Sequence, residues 1–75
     1  MMIRVKLMGM LRSRMPQAGE LELTDGATID QVLAALQIPS QSVHVFTVNG
    51  ALERDKQRTL VDGDELTVLP PVGGG

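Results

Sequence analysis

Thr28-Ile29-Asp30-Gln31-Val32-Leu33-Ala34-Ala35-Leu36 carries the pattern that decides the fold, because Ile29, Val32, Leu33 and Leu36 fall at i, i+3, i+4 and i+7. That spacing lines the four aliphatics along one face of a helix, while Asp30, Gln31, Ala34 and Gln37 fall elsewhere. Thr28 is a good N-cap, and Gln31 three residues on completes a pattern in which each side chain satisfies an orphan backbone donor at the helix start. Pro39 has no N–H and disfavours helical angles in the residue before it, so the helix is short. A single short helix with one apolar face needs a second layer to cover it.

That layer is read on both sides of the helix. Upstream, Ile3, Arg4, Val5, Lys6 and Leu7 alternate apolar with cationic, which predicts a strand over Met2–Met8, and Glu20-Leu21-Glu22-Leu23-Thr24 alternates again. Residues 9–19, with Gly9, Pro16 and Gly19, form a long connection between these two strands. Downstream, Val43–Val48 is β-branched and aromatic, and Asn49-Gly50 tolerates the positive φ angles of a tight turn. A very short strand then follows at Ala51 and Leu52, then a solvated loop to Thr59, the turn Asp62-Gly63-Asp64 and a strand over Glu65–Leu69. The order is ββαββ, with the short strand after Asn49-Gly50 bringing the sheet to four or five strands. An α+β domain results, with a mixed sheet and one main helix packed across one face, and a β-grasp (ubiquitin-like) fold fits best. Ile3, Val5, Leu7, Leu21, Leu23, Val43, Val45, Leu66 and Val68 are expected to meet the helix in one core.

Composition narrows the function classes. A chain of 75 residues has room for one domain. Seven Lys and Arg against nine Asp and Glu give a net charge of -2, so the basic footprint of a nucleic-acid binder is missing. The longest apolar runs are too short to cross a bilayer, and a soluble cytoplasmic protein is the default expectation. With no Cys and one His, His44, thiolate chemistry, the usual zinc sites and His-based triads are excluded, and no metal is expected. Asp62-Gly63-Asp64 reads as a structural turn, since two carboxylates without further ligands do not make a calcium loop.

The segment Leu60-Val61-Asp62-Gly63-Asp64-Glu65, then an apolar strand, then Pro70-Pro71-Val72-Gly73-Gly74-Gly75 resembles the closing third of the ThiS/MoaD family of ubiquitin-like sulfur carriers. Pro-Pro-Val before the glycines is more like the small subunit of molybdopterin synthase than like the thiamine-pathway carrier. The resemblance implies a globular domain over 1–69 and an extended tail over 70–75. It implies that an E1-like adenylyltransferase of the MoeB/ThiF type activates the Gly75 carboxylate with ATP. It also implies that a thiocarboxylate forms there and that sulfur passes to an acceptor, the molybdopterin synthase large subunit. The chain itself then binds no cofactor and is no enzyme, catalytic residues being expected on the partner. A thiamine thiazole sulfur carrier and a ubiquitin-like modifier conjugated to lysines are the alternatives.

The tail suits that chemistry. Gly73 and Gly74 lack Cβ and can thread a narrow channel into a partner's active site, and Pro70 and Pro71 favour an extended stalk. Five extended residues after Pro70 span at most ~16–18 Å. Two surfaces are candidate docking sites. Met8, Met10, Leu11 and Met15 flank Arg12 and Arg14, where flexible thioethers suit either a partner or ordinary packing. Phe46, Val48 and Leu69 are expected on the sheet face away from the helix, beside His44, as a docking patch or as residues covered by loops.

Overall fold

The computed structural model describes residues 1–70. The helix α1 runs Ile29–Ala35 and begins as its sequence demands: Thr28 Oγ1 accepts from the Gln31 backbone N–H at 3.3 Å, and Gln31 Oε1 accepts from the Thr28 N–H at 2.8 Å. Ile29, Val32, Leu33 and Leu36 are all buried. The helix stops before Pro39 through Gln37, whose φ is +59°. The Gln37 N–H donates to Ala34 O at 3.1 Å and the Ile38 N–H to Leu33 O at 2.9 Å, which satisfies carbonyls the last turn leaves open.

The sheet holds β1 (Met2–Leu7), β2 (Glu20–Glu22), β3 (Val45–Val48), β4 (Ala51–Glu53) and β5 (Glu65–Leu69) in the order β2-β1-β5-β3-β4. β1 and β5 pair in parallel at the centre; the other three pairings are antiparallel. Residues 9–19 are not an open loop but two 3-10 turns, Gly9–Arg14 and Gln17–Gly19. Asn49 (φ +52°) and Gly50 (φ +85°) make the tight turn between β3 and β4, where both central residues need positive φ. Among the described residues no helix is long and apolar enough to cross a membrane, and no group of three or more His, Cys, Asp or Glu could hold a metal ion.

Two expectations are corrected. Phe46 and Val48 do not lie on the open sheet face: Phe46 is 0% exposed and packs into the core with Val48, Leu66 and Val68. The alternation predicted from Val43 onward slips by one residue. Val43 closes the 3-10 turn Ser40–Ser42 and is itself buried, and the strand begins only at Val45, opposite Leu69. Since a one-residue slip exchanges the two faces, Phe46 gains the core and Val45, half-buried, shares the outer face with Leu69. Burying the sole aromatic ring offers more apolar area than burying Val45, which decides the phase.

The polar stretch after β4 is likewise more than a solvated loop. Its carbonyls cover the helix start, Asp30 N–H donating to Lys56 O at 2.9 Å and Ile29 N–H to Arg58 O at 3.2 Å. Leu60, 1% exposed, then anchors it in the core.

Candidate functional site

The site is built where the chain leaves the sheet. Parallel pairing sets Leu7 of β1 beside Val68 of β5, so both strands end at the same rim and the residues that follow them are neighbours. Gly9 stands there with φ +60°, and a Cβ on it would lie 3.1 Å from Cγ of Pro70. Gly9 therefore serves twice, turning the chain out of β1 and leaving room for the first proline of the stalk.

The turn Gly9–Arg14 hangs over this rim. The Leu7 backbone N–H donates to Met15 Sδ at 3.2 Å, which holds Met15 against the end of β1. Lys6, Leu7, Met8, Gly9, Arg12 and Met15 line a groove of about 530 Å³. Leu7 forms a buried part of that lining, while Met8 (41% exposed) and Met15 (40%) remain open to solvent. Arg4, Lys6, Arg12 and Arg14 all fall within residues 1–19, which contain no Asp or Glu. Of these, Lys6 and Arg12 line the groove, which has no Asp or Glu among its lining residues, while Arg4 lies back along β1 opposite Glu20 and Glu65.

Of the residues singled out from sequence, Met8, Arg12 and Pro70 are brought together at this rim. Arg14 is exposed in the same turn, and Leu69 lies half-buried on the outer sheet face next to Pro70. Phe46 is removed from the set by its burial. Pro71, Gly73, Gly74 and Gly75 lie outside the described residues, as does the side chain of Met10. Gly9 was missed, because its role comes from a contact with a residue sixty-one positions away.

The turn Asp62-Gly63-Asp64 is a latch at the other end of β5. Asp64, 7% exposed, accepts from Asn49 Nδ2 on one carboxylate oxygen and from the Val61 N–H on the other, both at 2.9 Å. Asn49 Oδ1 accepts from the Glu65 N–H at 2.9 Å. Asp62 Oδ1 accepts from the Met2 N–H at 2.7 Å, and the Gly63 N–H donates to Met2 O at 2.8 Å. Both carboxylates are committed to the backbone and to Asn49, so the turn ties β1, β5 and the β3–β4 turn together. On β4, Glu53 is held below the usual carboxylate range, chiefly by the Asp55 N–H, then by the Arg58 guanidinium at 2.9 Å. That is a local brace and takes no part in the tail site.

Five strands in this order crossed by one helix define a β-grasp, ubiquitin-like protein. The chain belongs to the ThiS family, whose model matches residues 5–75, a family of small ubiquitin-like sulfur carriers. No curated protein matches it by sequence. Among solved structures it is similar to the Haloferax volcanii HVO 2177 protein, with TM-score 0.74, 25% identity, 100% of this chain and 87% of that one covered. It is similar to SAMP1 from Haloferax volcanii, with TM-score 0.72 and 23% identity over 100% of both chains. It is also similar to a chain in the complex of subunits 1 and 2 of the molybdopterin-converting factor from Helicobacter pylori 26695, with TM-score 0.63 and 25% identity over 100% of both chains.

Proposed function

We propose that this protein carries sulfur on the carboxylate of Gly75 and donates it in molybdopterin biosynthesis, as the small partner of a larger catalytic subunit. A carboxylate is a poor electrophile until it has a leaving group. An E1-like enzyme supplies one by joining the Gly75 carboxylate to AMP, with pyrophosphate released from ATP. A hydrosulfide-equivalent nucleophile then attacks the acyl carbon, AMP departs, and a thiocarboxylate remains. Such chemistry runs where ATP is made and spent, which assigns the protein to the cytoplasm.

The observation that carries this reading is the rim itself. Pro70 is seated on Gly9 at the end of the central strand pair, so the chain reaches the edge of the domain at the first residue of the expected tail. The family match runs through Gly75, and a Helicobacter pylori relative of this fold is known in complex with the second subunit of its converting factor. Met8, Arg12, Arg14, Leu69 and Pro70, at and beside this rim, are the residues proposed to meet the two partners that a carrier visits in turn.

Intact mass of the chain after incubation with its activating enzyme, ATP and a sulfur donor tests the proposal. A gain of one sulfur-for-oxygen exchange is expected, and it should vanish when Gly75 is deleted, when a residue is added after it, or in Gly74→Val. Lysine adducts in place of the thiocarboxylate would establish a protein modifier instead, and sulfur delivery only to a thiazole synthase would establish the thiamine pathway. The untagged chain is required. A tag after Gly75 blocks the carboxylate, and one before Met1 displaces an ammonium that donates to Leu23 O at 2.7 Å and pairs with Asp25 at 3.2 Å.

A further inference from the structure

The groove beside Pro70 is shaped and charged for something that begins where Pro70 ends. Gly9, against which the Pro70 ring packs, is itself one of the groove's lining residues, so Pro70 sits at the groove's edge. Five residues remain, with a reach of at most ~16–18 Å when extended. Val72 is the one aliphatic side chain beyond the prolines, and the groove offers it Leu7, Met8 and Met15. Lys6 and Arg12 stand on the same lining with no acidic residue among the six, and neither makes an ion pair among the described residues. A hydrophobic floor with two cations fits a short apolar segment that ends in an anion.

We propose that the chain's own tail occupies this groove when no partner holds it, Val72 lying against Met8 and Met15 and the Gly75 carboxylate pairing with Arg12 and Lys6. The inference rests on the reading that Gly75 ends in a free carboxylate. Its consequence is a coupling between docking and release. A partner that takes hold of Met8 and Arg12 evicts the tail in the same step, so the carboxylate is freed only on a surface ready to use it. The contact is weak and reversible, since exposed ion pairs contribute little and are screened by salt.

Amide NMR of the full chain against a chain ending at Pro71 tests the contact without any sulfur chemistry. The expected result is a set of shifts confined to Lys6–Met15 and Leu69, the prolines that follow having no N–H. The same set should move when the terminal carboxylate is replaced by a neutral carboxamide. Arg12→Glu, an exposed change that leaves the sheet amides in place, should shrink the carboxamide effect roughly two- to fivefold, the range of an exposed ion pair. Truncation shifts limited to Leu69, or a carboxamide effect equal in wild type and Arg12→Glu, would overturn the proposal. Absence of thiocarboxylate in the activation assay would sink the sulfur-carrier reading and leave this contact standing, so the two failures are distinguishable.

Discussion

Replacing Asp64 by Ala removes a buried acceptor that two donors share. The carboxylate is 7% exposed and takes Asn49 Nδ2 and the Val61 N–H at 2.9 Å each. Hydrogen bonds to a charged group contribute about 1.5–3 kcal/mol apiece. Asn49 sits at the surface, where its freed amide can turn to water, so the pair together should cost about 2–4 kcal/mol rather than the full sum. A domain of this size has only ~5–15 kcal/mol in total. At roughly 4–8 °C per kcal/mol, the thermal midpoint followed by circular dichroism should fall by about 10–25 °C. Asp64→Asn keeps the volume but sets an amide donor against one of the two donors, and it should fall comparably. The sharper assay is a double-mutant cycle with Asn49→Ala, because a shared bond makes the two losses non-additive, with a coupling of about 1 kcal/mol. Strictly additive losses, or an Asp64→Ala midpoint within a few degrees of wild type, would show that the latch does not hold β5 and that its geometry is incidental.

Three further outcomes follow from local geometry. Gln37→Gly should stabilise the protein by about 1 kcal/mol, since a glycine accepts φ +59° without the strain a side chain brings there; a lowered urea midpoint would contradict this. Gly9→Ala should destabilise by about 1–2 kcal/mol, because the new Cβ needs positive φ and lies 3.1 Å from Pro70 Cγ. The Met8–Met15 amides should shift with it, and unchanged stability would mean that Pro70 is not seated on Gly9. Glu53 titrates below its ordinary value of 4.5 because the Asp55 N–H, the Arg58 guanidinium and the Arg54 N–H stabilise its charged form. A depressed carboxylate adds stability that is present above its ordinary pKa and is lost as pH falls through its folded value. Carboxyl carbon NMR should show that low midpoint in wild type and a rise toward 4.5 in Arg58→Ala; an unmoved midpoint would remove Arg58 from the account.

Local chemistry was legible in the sequence and non-local geometry was not. The capping pair Thr28–Gln31, the Asn49-Gly50 turn and the helix face each depend on residues within one or two turns of each other, and each appears in the structure as its spacing demands. Phe46 was misplaced because alternation was extended back through Val43 into a 3-10 turn, and nothing in Ser40-Gln41-Ser42 announces where that turn hands over to the strand. Leu60, between the solvated loop ending at Thr59 and the turn at Asp62, is absent from the expected core, although an isolated Leu before Asp62-Gly63-Asp64 signals that the chain dips inward there. Gln37 could not be foreseen in a left-handed conformation, since the glycine that usually marks such a helix end is absent. Gly9 and Asp64 owe their roles to Pro70 and Asn49, partners that only the folded sheet brings near.

These distant contacts matter because the proposed chemistry asks the domain to aim a tail. β5 spans about 16 Å over its five residues, with the latch at its start and Pro70 just beyond its end. Leu66 and Val68 point into the core and Thr67 and Leu69 away from it, so a slip of one residue would bury Leu69 and carry Pro70 off Gly9. Two devices oppose that slip. The core opposes it through Phe46 opposite Val68, and the latch opposes it by fixing Gly63 and Asp62 to Met2 and Asp64 to Asn49. Weakening the latch should therefore be felt at the far rim as loss of the Gly9–Pro70 contact, before the domain unfolds. Asp62-Gly63-Asp64 is thereby tied to the tail through the strand between them, which accounts physically for the presence of both in one short closing motif.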